Sequence, residues 1–306
     1  MTPDEFRNEP TVDFNLPQNR RKQEEALALV QSRLGREYNL IIGGGRLKSE
    51  KKFESLNPGK KSEVIGIFPS ATAEQAIRAL DAATSAFEDW KRVPARERAD
   101  VLFRAAALLR ARRFESNAWM ILETGKTWSE ADADTAEAID FCEFYGREAL
   151  RYADPQPLTR IQGEDNELRY IPLGAGVVIP PWNFPCAILA GMTTAAVVTG
   201  NTVVLKPSSD SPAIGAFFMS ILEEAGLPSG VVNFVTGSGS VVGNTLVEHP
   251  RTRFIAFTGS KEVGLQIVEK AGRHAPGQIW IKRVIAEMGG KDFIIVDQDA
   301  DLESAL

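Results

Sequence analysis

The chain has 306 residues, of which 43% are apolar and 25% charged, and its formal net charge is -6 at pH 7. These values fit a globular protein of about two domains, or one large α/β unit with additions. The acidic balance argues against nucleic acid as a main partner, because phosphate-backbone binders usually carry a basic surplus. Cys142 and Cys186 lie far apart and only two histidines occur, which excludes a disulfide scaffold and a Cys- or His-rich metal site.

The first residues, MTPDEFRNEP, carry charges and no apolar signal core. No stretch reaches the ~18 consecutive apolar residues of a membrane helix. We therefore expect a cytoplasmic protein without a membrane partner.

The N-terminal third predicts an arm followed by short strands and long helices. An amphipathic pattern over residues 18–34 predicts a helix ending at Gly35, within an arm spanning 1–37. Strands are expected at 38–42, 53–57 and 63–67. The expected helices cover residues 72–90, 95–113, 114–124 and 129–152.

After Asp154-Pro155 the pattern changes twice. Residues 158–172 predict two short polar strands around Gly163, a projecting hairpin whose open edges need a partner. From Gly174 onward, short apolar strands alternate with helices, which predicts a parallel α/β sheet covered on both faces. Such sheets bind ligands at the carboxyl ends of their strands.

The first strand end carries Pro180-Pro181-Trp182-Asn183-Phe184-Pro185. The prolines stiffen this loop, so the Asn183 amide is a candidate donor to a reacting carbonyl oxygen. The alternative interpretation is a rigid turn around a buried Trp182.

The second strand end carries Lys206-Pro207-Ser208-Ser209. The prolines at 207 and 212 fix this loop, so Lys206 and Ser209 are candidates to bind ribose hydroxyls. The alternative is a solvated lysine at a strand terminus.

Two glycine-containing turns follow. Phe257-Thr258-Gly259-Ser260 precedes a helix and predicts an anion site at its N-terminus, suited to a pyrophosphate, although an ordinary Ser N-cap is the alternative. The run from Gly237 to Gly243 is GxGxxxG, one residue longer than the dinucleotide fingerprint. We interpret it as a tight turn close to a cofactor, with Gly239 and Gly243 facing the ligand.

The fourth motif is Glu287-Met288-Gly289-Gly290-Lys291. A carboxylate that ends an apolar strand is expected in a partly dry pocket, where it has the proton affinity of a general base. The alternative is a Glu that caps a turn.

In this order and spacing, the motifs resemble the aldehyde dehydrogenase superfamily over residues 38–306. Further matching segments are ETGK (123–126) and GLPSGVVN (226–233). The N-terminal extension, KPSSDSP (206–212), IKRVIAEMGGKD (281–292) and Met288 are most similar to 1-pyrroline-5-carboxylate dehydrogenases.

The resemblance implies an aldehyde-dehydrogenase-like α/β fold with a Rossmann-type NAD-binding sheet. The implied domains are an arm (1–37), an NAD-binding domain (38–153 and 174–288), an oligomerisation hairpin (154–173) and the start of a catalytic domain (289–306). In such enzymes a cysteine thiolate attacks the aldehyde, Asn183 would hold the oxyanion, hydride passes to NAD, and Glu287 would activate the hydrolytic water. The implied substrate is the small aldehyde L-glutamate γ-semialdehyde, oxidised to L-glutamate in proline catabolism.

The remaining implied cofactor contacts are Pro181, Trp182, Ser208, Thr258, Gly259, Ser260, Met288 and Gly289. Many NAD-preferring relatives carry Glu where Ser209 stands, so the resemblance favours NAD and leaves NADP open. In the full-length form, the hairpin would mediate homo-oligomerisation.

By the same resemblance, the nucleophilic cysteine follows Glu287 by about thirty-odd residues, beyond Leu306. We interpret Cys142 and Cys186 as structural, although Cys186 starts a helix where a thiol can be somewhat acidic. The chain is therefore expected to be an inactive portion of a dehydrogenase. The alternatives are a nucleotide-binding module without catalysis and a dehydrogenase for another aldehyde.

Overall fold

A mixed β-sheet forms the centre of the molecule, and the computed structural model describes residues 5–305 around it. In chain order the strands are β1 (Arg36–Glu37), β2 (Leu40–Ile42), β3 (Gly45–Leu47), β4 (Lys52–Asn57), β5 (Lys60–Pro69), β6 (Ala175–Ile179), β7 (Thr202–Leu205), β8 (Val232–Phe234), β9 (Phe254–Thr258) and β10 (Arg283–Glu287). The helices are α1 (Pro17–Gln31), α2 (Ala73–Trp90), α3 (Ala95–Ala111), α4 (Arg113–Thr124), α5 (Trp128–Ala153), α6 (Ala187–Val198), α7 (Pro212–Glu224), α8 (Asn244–Glu248), α9 (Lys261–Gly272) and α10 (Leu302–Ala305).

The large sheet has the order β10-β9-β6-β7-β8-β2-β3. The first five strands of that order are parallel, and β2 and β3 extend the sheet as an antiparallel hairpin. The order reverses direction at β6, since the chain moves from β6 to β7 and β8 on one side and to β9 and β10 on the other. Open α/β sheets bind ligands at such a reversal. The predicted α/β fold is therefore confirmed.

Neighbouring residues of a strand serve opposite faces of the sheet. Val178 and Val203 pack with α6, α7 and the outer helices α3 to α5, whereas Val177 and Val204 pack with α2, α8 and α9. Apolar side chains at every strand position therefore match a sheet covered on both faces. The absence of a side chain at Gly176 lets the Phe254 ring pack against β6, because a Cβ at Gly176 would lie 2.2 Å from that ring.

The predicted helices form, with starts that local chemistry explains. Thr72 and Thr127 each make a capping box, with Gln75 and Glu130 respectively, at the starts of α2 and α5. Gly125 ends α4 in a left-handed conformation, with φ of 73°. No helix within residues 5–305 is both long and apolar enough to cross a membrane.

The predicted hairpin at 158–172 is wrong as a pair of strands. Residues 155–174 contain a turn at Gly163 and no strand pairing, and most of their side chains are exposed. An isolated two-stranded ribbon is marginal in water, and this segment has no described sheet to join. Residues 288–301, within the segment implied to start a catalytic domain, form no strand, and α10 follows them.

Candidate functional site

A cleft of about 1020 Å³ opens at the carboxyl ends of the parallel strands. The cleft is lined by the ends of β6, β7, β9 and β10 and by the turns that follow these strands. Every site residue expected from the sequence lines it, namely Pro181, Trp182, Asn183, Lys206, Ser208, Ser209, Gly239, Gly243, Thr258, Gly259, Ser260, Glu287, Met288 and Gly289. Residues separated by more than 100 positions therefore share one concave surface.

The loop between β6 and α6 places Asn183 at the rim of the cleft. Trp182 is 54% exposed, so the alternative of a turn around a buried Trp is wrong. Behind the loop, Asp134 Oδ1 accepts a hydrogen bond of 2.6 Å from the Ala187 amide at the start of α6. Lys126 Nζ lies 3.2 Å from Asp134 Oδ2. Burial raises the pKa of Asp134 to about 6.

Lys206 follows β7 and is 5% exposed, so the alternative of a solvated terminus is wrong. Within residues 5–305, its ammonium donates to the carbonyl of Pro207, at 3.1 Å. An ammonium has three N–H groups, so this contact leaves donors for the cleft. Burial lowers the pKa of Lys206 to about 8. A buried, incompletely bonded ammonium is a strong feature of a ligand site.

The start of α9 is capped by Ser260 and also lines the cleft. Ser260 Oγ accepts from the Val263 amide at 3.3 Å, so Ser260 is an N-cap, and it is exposed to the cleft. The Gly259 amide is not available to an anion, since it donates to the Glu287 carbonyl at 3.1 Å. That bond joins the turn after β9 to the end of β10, because the two parallel strands stay in register to their ends.

The glycine-rich run is helical in an unexpected form. Gly239–Gly243, interpreted from the sequence as part of a tight turn, makes a π-helical turn that leads into α8. Gly237 adopts φ of 144°, a conformation that side chains other than hydrogen rarely allow. Single π-helical turns occur often at functional sites, and this one forms a wall of the cleft.

Glu287 is exposed, and its Oε1 accepts from the Gly289 amide at 2.9 Å. The expectation of a partly dry carboxylate is therefore wrong for the described residues, because nothing in the described range covers the outer edge of β10. This contact agrees with the alternative interpretation, in which the Glu287 side chain caps a turn. Met288 packs towards α9, where a Cβ on Gly264 would lie 2.6 Å from its sulfur.

Sequence reasoning missed the apolar side chains of α8 and α9 that line the cleft. They are Val247, Val263 and Ile267. Each belongs to a helix whose start was identified as a ligand site. The helical period that carries these side chains to the same wall was the available signal.

Neither cysteine reaches the cleft. Cys142 and Cys186 are both fully buried, and Cys186 Sγ lies 3.8 Å from Ser116 Oγ. Burial raises the pKa of Cys142 to about 12 and raises that of Cys186 further. The structural interpretation of both thiols is confirmed by their burial, and the expectation that a helix start makes Cys186 acidic is outweighed by desolvation.

Comparison with known proteins gives consistent matches. A family model described as the aldehyde dehydrogenase family matches residues 46–306. The 1-pyrroline-5-carboxylate dehydrogenase of Geobacillus thermodenitrificans is 57% identical over 300 residues, which cover 98% of this chain and 58% of that protein. The chain thus spans less than two thirds of the length of the relatives it matches.

Solved structures give the same result. The structure described as 1-pyrroline-5-carboxylate dehydrogenase from Thermus with bound NAD matches with a TM-score of 0.93 and 52% identity, covering 95% of this chain and 57% of that one. Proline utilization A from Bdellovibrio bacteriovorus matches with a TM-score of 0.92 and 44% identity, covering 100% of this chain and 32% of that one.

Proposed function

The chain belongs to the aldehyde dehydrogenase family, and from that premise we propose that it forms the cofactor-binding part of an NAD-dependent enzyme that oxidises L-glutamate γ-semialdehyde to L-glutamate. The observation that carries the proposal is the shared cleft, where Asn183, Lys206, Ser260 and Glu287 converge. The substrate follows from the relatives, which are 1-pyrroline-5-carboxylate dehydrogenases at 55–57% identity. Another aldehyde is the alternative substrate.

The cleft suits a nicotinamide dinucleotide in size and chemistry. Its volume of about 1020 Å³ lies at the upper end of ligand pockets. The Lys206 ammonium and the Ser209 hydroxyl would bind the adenosine ribose, and the start of α9 at Ser260 would face the pyrophosphate. When bound, NAD supplies the hydride acceptor. Ser209 also leaves room for a 2′-phosphate, so NADP is the alternative cofactor.

Two side chains would act on the aldehyde. Asn183 would donate its amide N–H to the carbonyl oxygen, where negative charge develops. Glu287 would take a proton from the water that releases the acid. Both line the same cleft, on the loops after β6 and β10.

The Lys206→Ala variant is expected to bind NAD about tenfold or more weakly, because hydrogen bonds to a charged group contribute about 1.5–3 kcal/mol. The measurement is a titration of the 306-residue chain with NAD and, in parallel, NADP. Lys60→Ala is the matched control, since Lys60 is exposed outside the cleft. Equal NAD affinity of Lys206→Ala and the parent would refute the ribose site.

The 306-residue chain itself is expected to show no NAD reduction with glutamate semialdehyde. Both of its thiols are buried and have raised pKa values, so neither supplies a thiolate at the cleft. The measurement is NADH formation, followed by its absorbance, with purified chain. Turnover that Cys186→Ser abolishes would contradict this expectation. The burial of both thiols also favours the second candidate function, a nucleotide-binding module without catalysis.

We also propose a contact for oligomerisation and a location for the protein. The segment 154–173 exposes Leu158, Ile161, Leu168, Tyr170 and Ile171, which makes it the proposed contact between copies of the full-length protein. A cytoplasmic location is proposed from the two free cysteines, which suit a reducing compartment.

A further inference from the structure

The buried carboxyl of Glu123 takes no part in the contacts proposed above. Glu123 lies near the end of α4 and is 2% exposed. Its Oε1 accepts from the Ala213 amide at 2.7 Å and from Ser55 Oγ at 2.8 Å. Its Oε2 accepts from the Ile214 amide at 2.9 Å. One side chain thus joins α4, β4 and α7.

These two amides belong to the first turn of α7, where a helix offers no acceptor of its own. The residue before α7 is Ser211, and its side chain makes no capping bond. Glu123 therefore caps α7 from another helix, with one carboxylate oxygen for each amide.

The capped helix begins directly after segment 206–211, which carries Lys206, Ser208 and Ser209. At its start, the segment is held by a bond of 2.9 Å from the Lys206 amide to the Val178 carbonyl. At its end it enters α7, whose first turn Glu123 holds. Glu123 and Ser209 also line the same groove of about 550 Å³, which shares Trp182, Ser209 and Asp210 with the cofactor cleft.

We propose that Glu123 is a positioning residue for the adenosine half of the cofactor, fixing segment 206–211 through the first turn of α7. The inference rests on the proposed cofactor site at Lys206 and Ser209. A loop that is held in its binding conformation for only part of the time binds its ligand more weakly in proportion. Loss of the Glu123 cap therefore weakens adenosine binding without removing any group that touches the ligand.

A second buried carboxylate offers a matched control. Asp134 holds the first turn of α6 through the Ala187 amide, and α6 follows the Asn183 loop. Glu123 and Asp134 are thus similar devices at two different loops. Only the Glu123 device leads to the segment proposed to bind adenosine.

The test measures AMP binding to the 306-residue chain, with all variants compared at the same pH. The variants are Glu123→Gln, Glu123→Asp, Asp134→Asn and Lys206→Ala. Glutamine keeps the size but presents an N–H to one of the amides, and aspartate keeps the charge but shortens the reach. Hydrogen exchange of the Ala213 and Ile214 amides is measured on the same samples.

We expect AMP to bind about tenfold more weakly to Glu123→Gln, less weakly to Glu123→Asp, and unchanged to Asp134→Asn. The two amides should exchange faster in both Glu123 variants. If Glu123→Gln fails to fold, Glu123→Asp decides by the same readouts. Parental AMP affinity in a folded Glu123 variant, with faster exchange of the amides, overturns the inference. If Lys206→Ala also binds AMP as the parent does, the proposed cofactor site fails instead.

Discussion

Asp132→Ala is expected to lower the free energy of unfolding by about 3–5 kcal/mol. It removes the close bidentate partner of the buried Arg113 guanidinium and leaves only the Glu9 carboxylate, 3.5 Å from Arg113 Nη1. Asp132 is 1% exposed, and Arg113 is 6% exposed. The two carboxylate oxygens accept from Arg113 Nε at 2.6 Å and Nη2 at 2.7 Å. They also accept from Asn117 Nδ2 at 3.1 Å and from the Val12 amide at 2.7 Å.

The Val12 bond makes this pair one anchor of the N-terminal arm on α5, beside Asp140, which accepts from Asn8 Nδ2 and from the Glu9 amide. The same substitution should therefore increase the hydrogen exchange of the arm around Val12 more than that of the central sheet. Urea unfolding measures the free energy. Asp100→Ala is the matched control, since Asp100 and Arg96 form a partly exposed pair at 3.0 Å, for which less than about 1 kcal/mol is expected.

Two outcomes test whether the buried Arg113–Asp132 pair accounts for the loss of stability. If Asp132→Ala loses no more stability than Asp100→Ala, the buried pair is not an anchor. Replacing both partners, as Arg113→Met with Asp132→Leu, should recover part of the loss, because no charge then stays buried alone.

The stability difference between the parent and Glu123→Gln is expected to depend on pH with a definite sign. Burial raises the pKa of Glu123 to about 7 from 4.5. Between these values the folded state holds a proton that the unfolded state has released, so the contribution of Glu123 to stability falls as pH rises. The shift corresponds to about 3 kcal/mol between pH 4 and pH 8.

The measurement is the free energy of unfolding of both proteins across that range. The parent should lose about 3 kcal/mol relative to Glu123→Gln as pH rises. Asp134, whose pKa is also raised, is present in both proteins and cancels in the difference. Tyr38, a titratable neighbour of Glu123, stays neutral because its pKa is raised to about 12. Parallel profiles for the two proteins would show that Glu123 is not desolvated.

The four strand-end motifs were predicted from local chemistry because each motif contains its own explanation. The prolines around Asn183, the strand before Lys206 and the glycine before Ser260 each fix a turn within a few residues. Alternation of apolar strands and helices then implied a parallel sheet, whose geometry brings the carboxyl ends of its strands to one edge. The shared cleft follows from that geometry, and the cofactor it is proposed to hold follows from the family.

The errors arose where a residue's environment comes from distant segments. Glu287 was expected to lie in a partly dry pocket, yet it is exposed. Within residues 5–305, no segment covers the outer edge of β10. The hairpin at 158–172 has the alternation of strands but no described sheet to pair with, so its backbone stays unpaired. The helix start at Cys186 suggested an acidic thiol, and complete burial decided the opposite.

The sequence by itself determined the element order, the sheet type and the residues at the cleft, since these depend on periodicity and on turns a few residues long. Only the tertiary structure decided which charges lose their water. Glu123 and Asp134 look like ordinary helical carboxylates in the sequence, yet folding places them against the first turns of α7 and α6, 90 and 53 residues away. Burial and hydrogen bonding across such separations depend on how the layers pack, and that information is not present in any local window of residues.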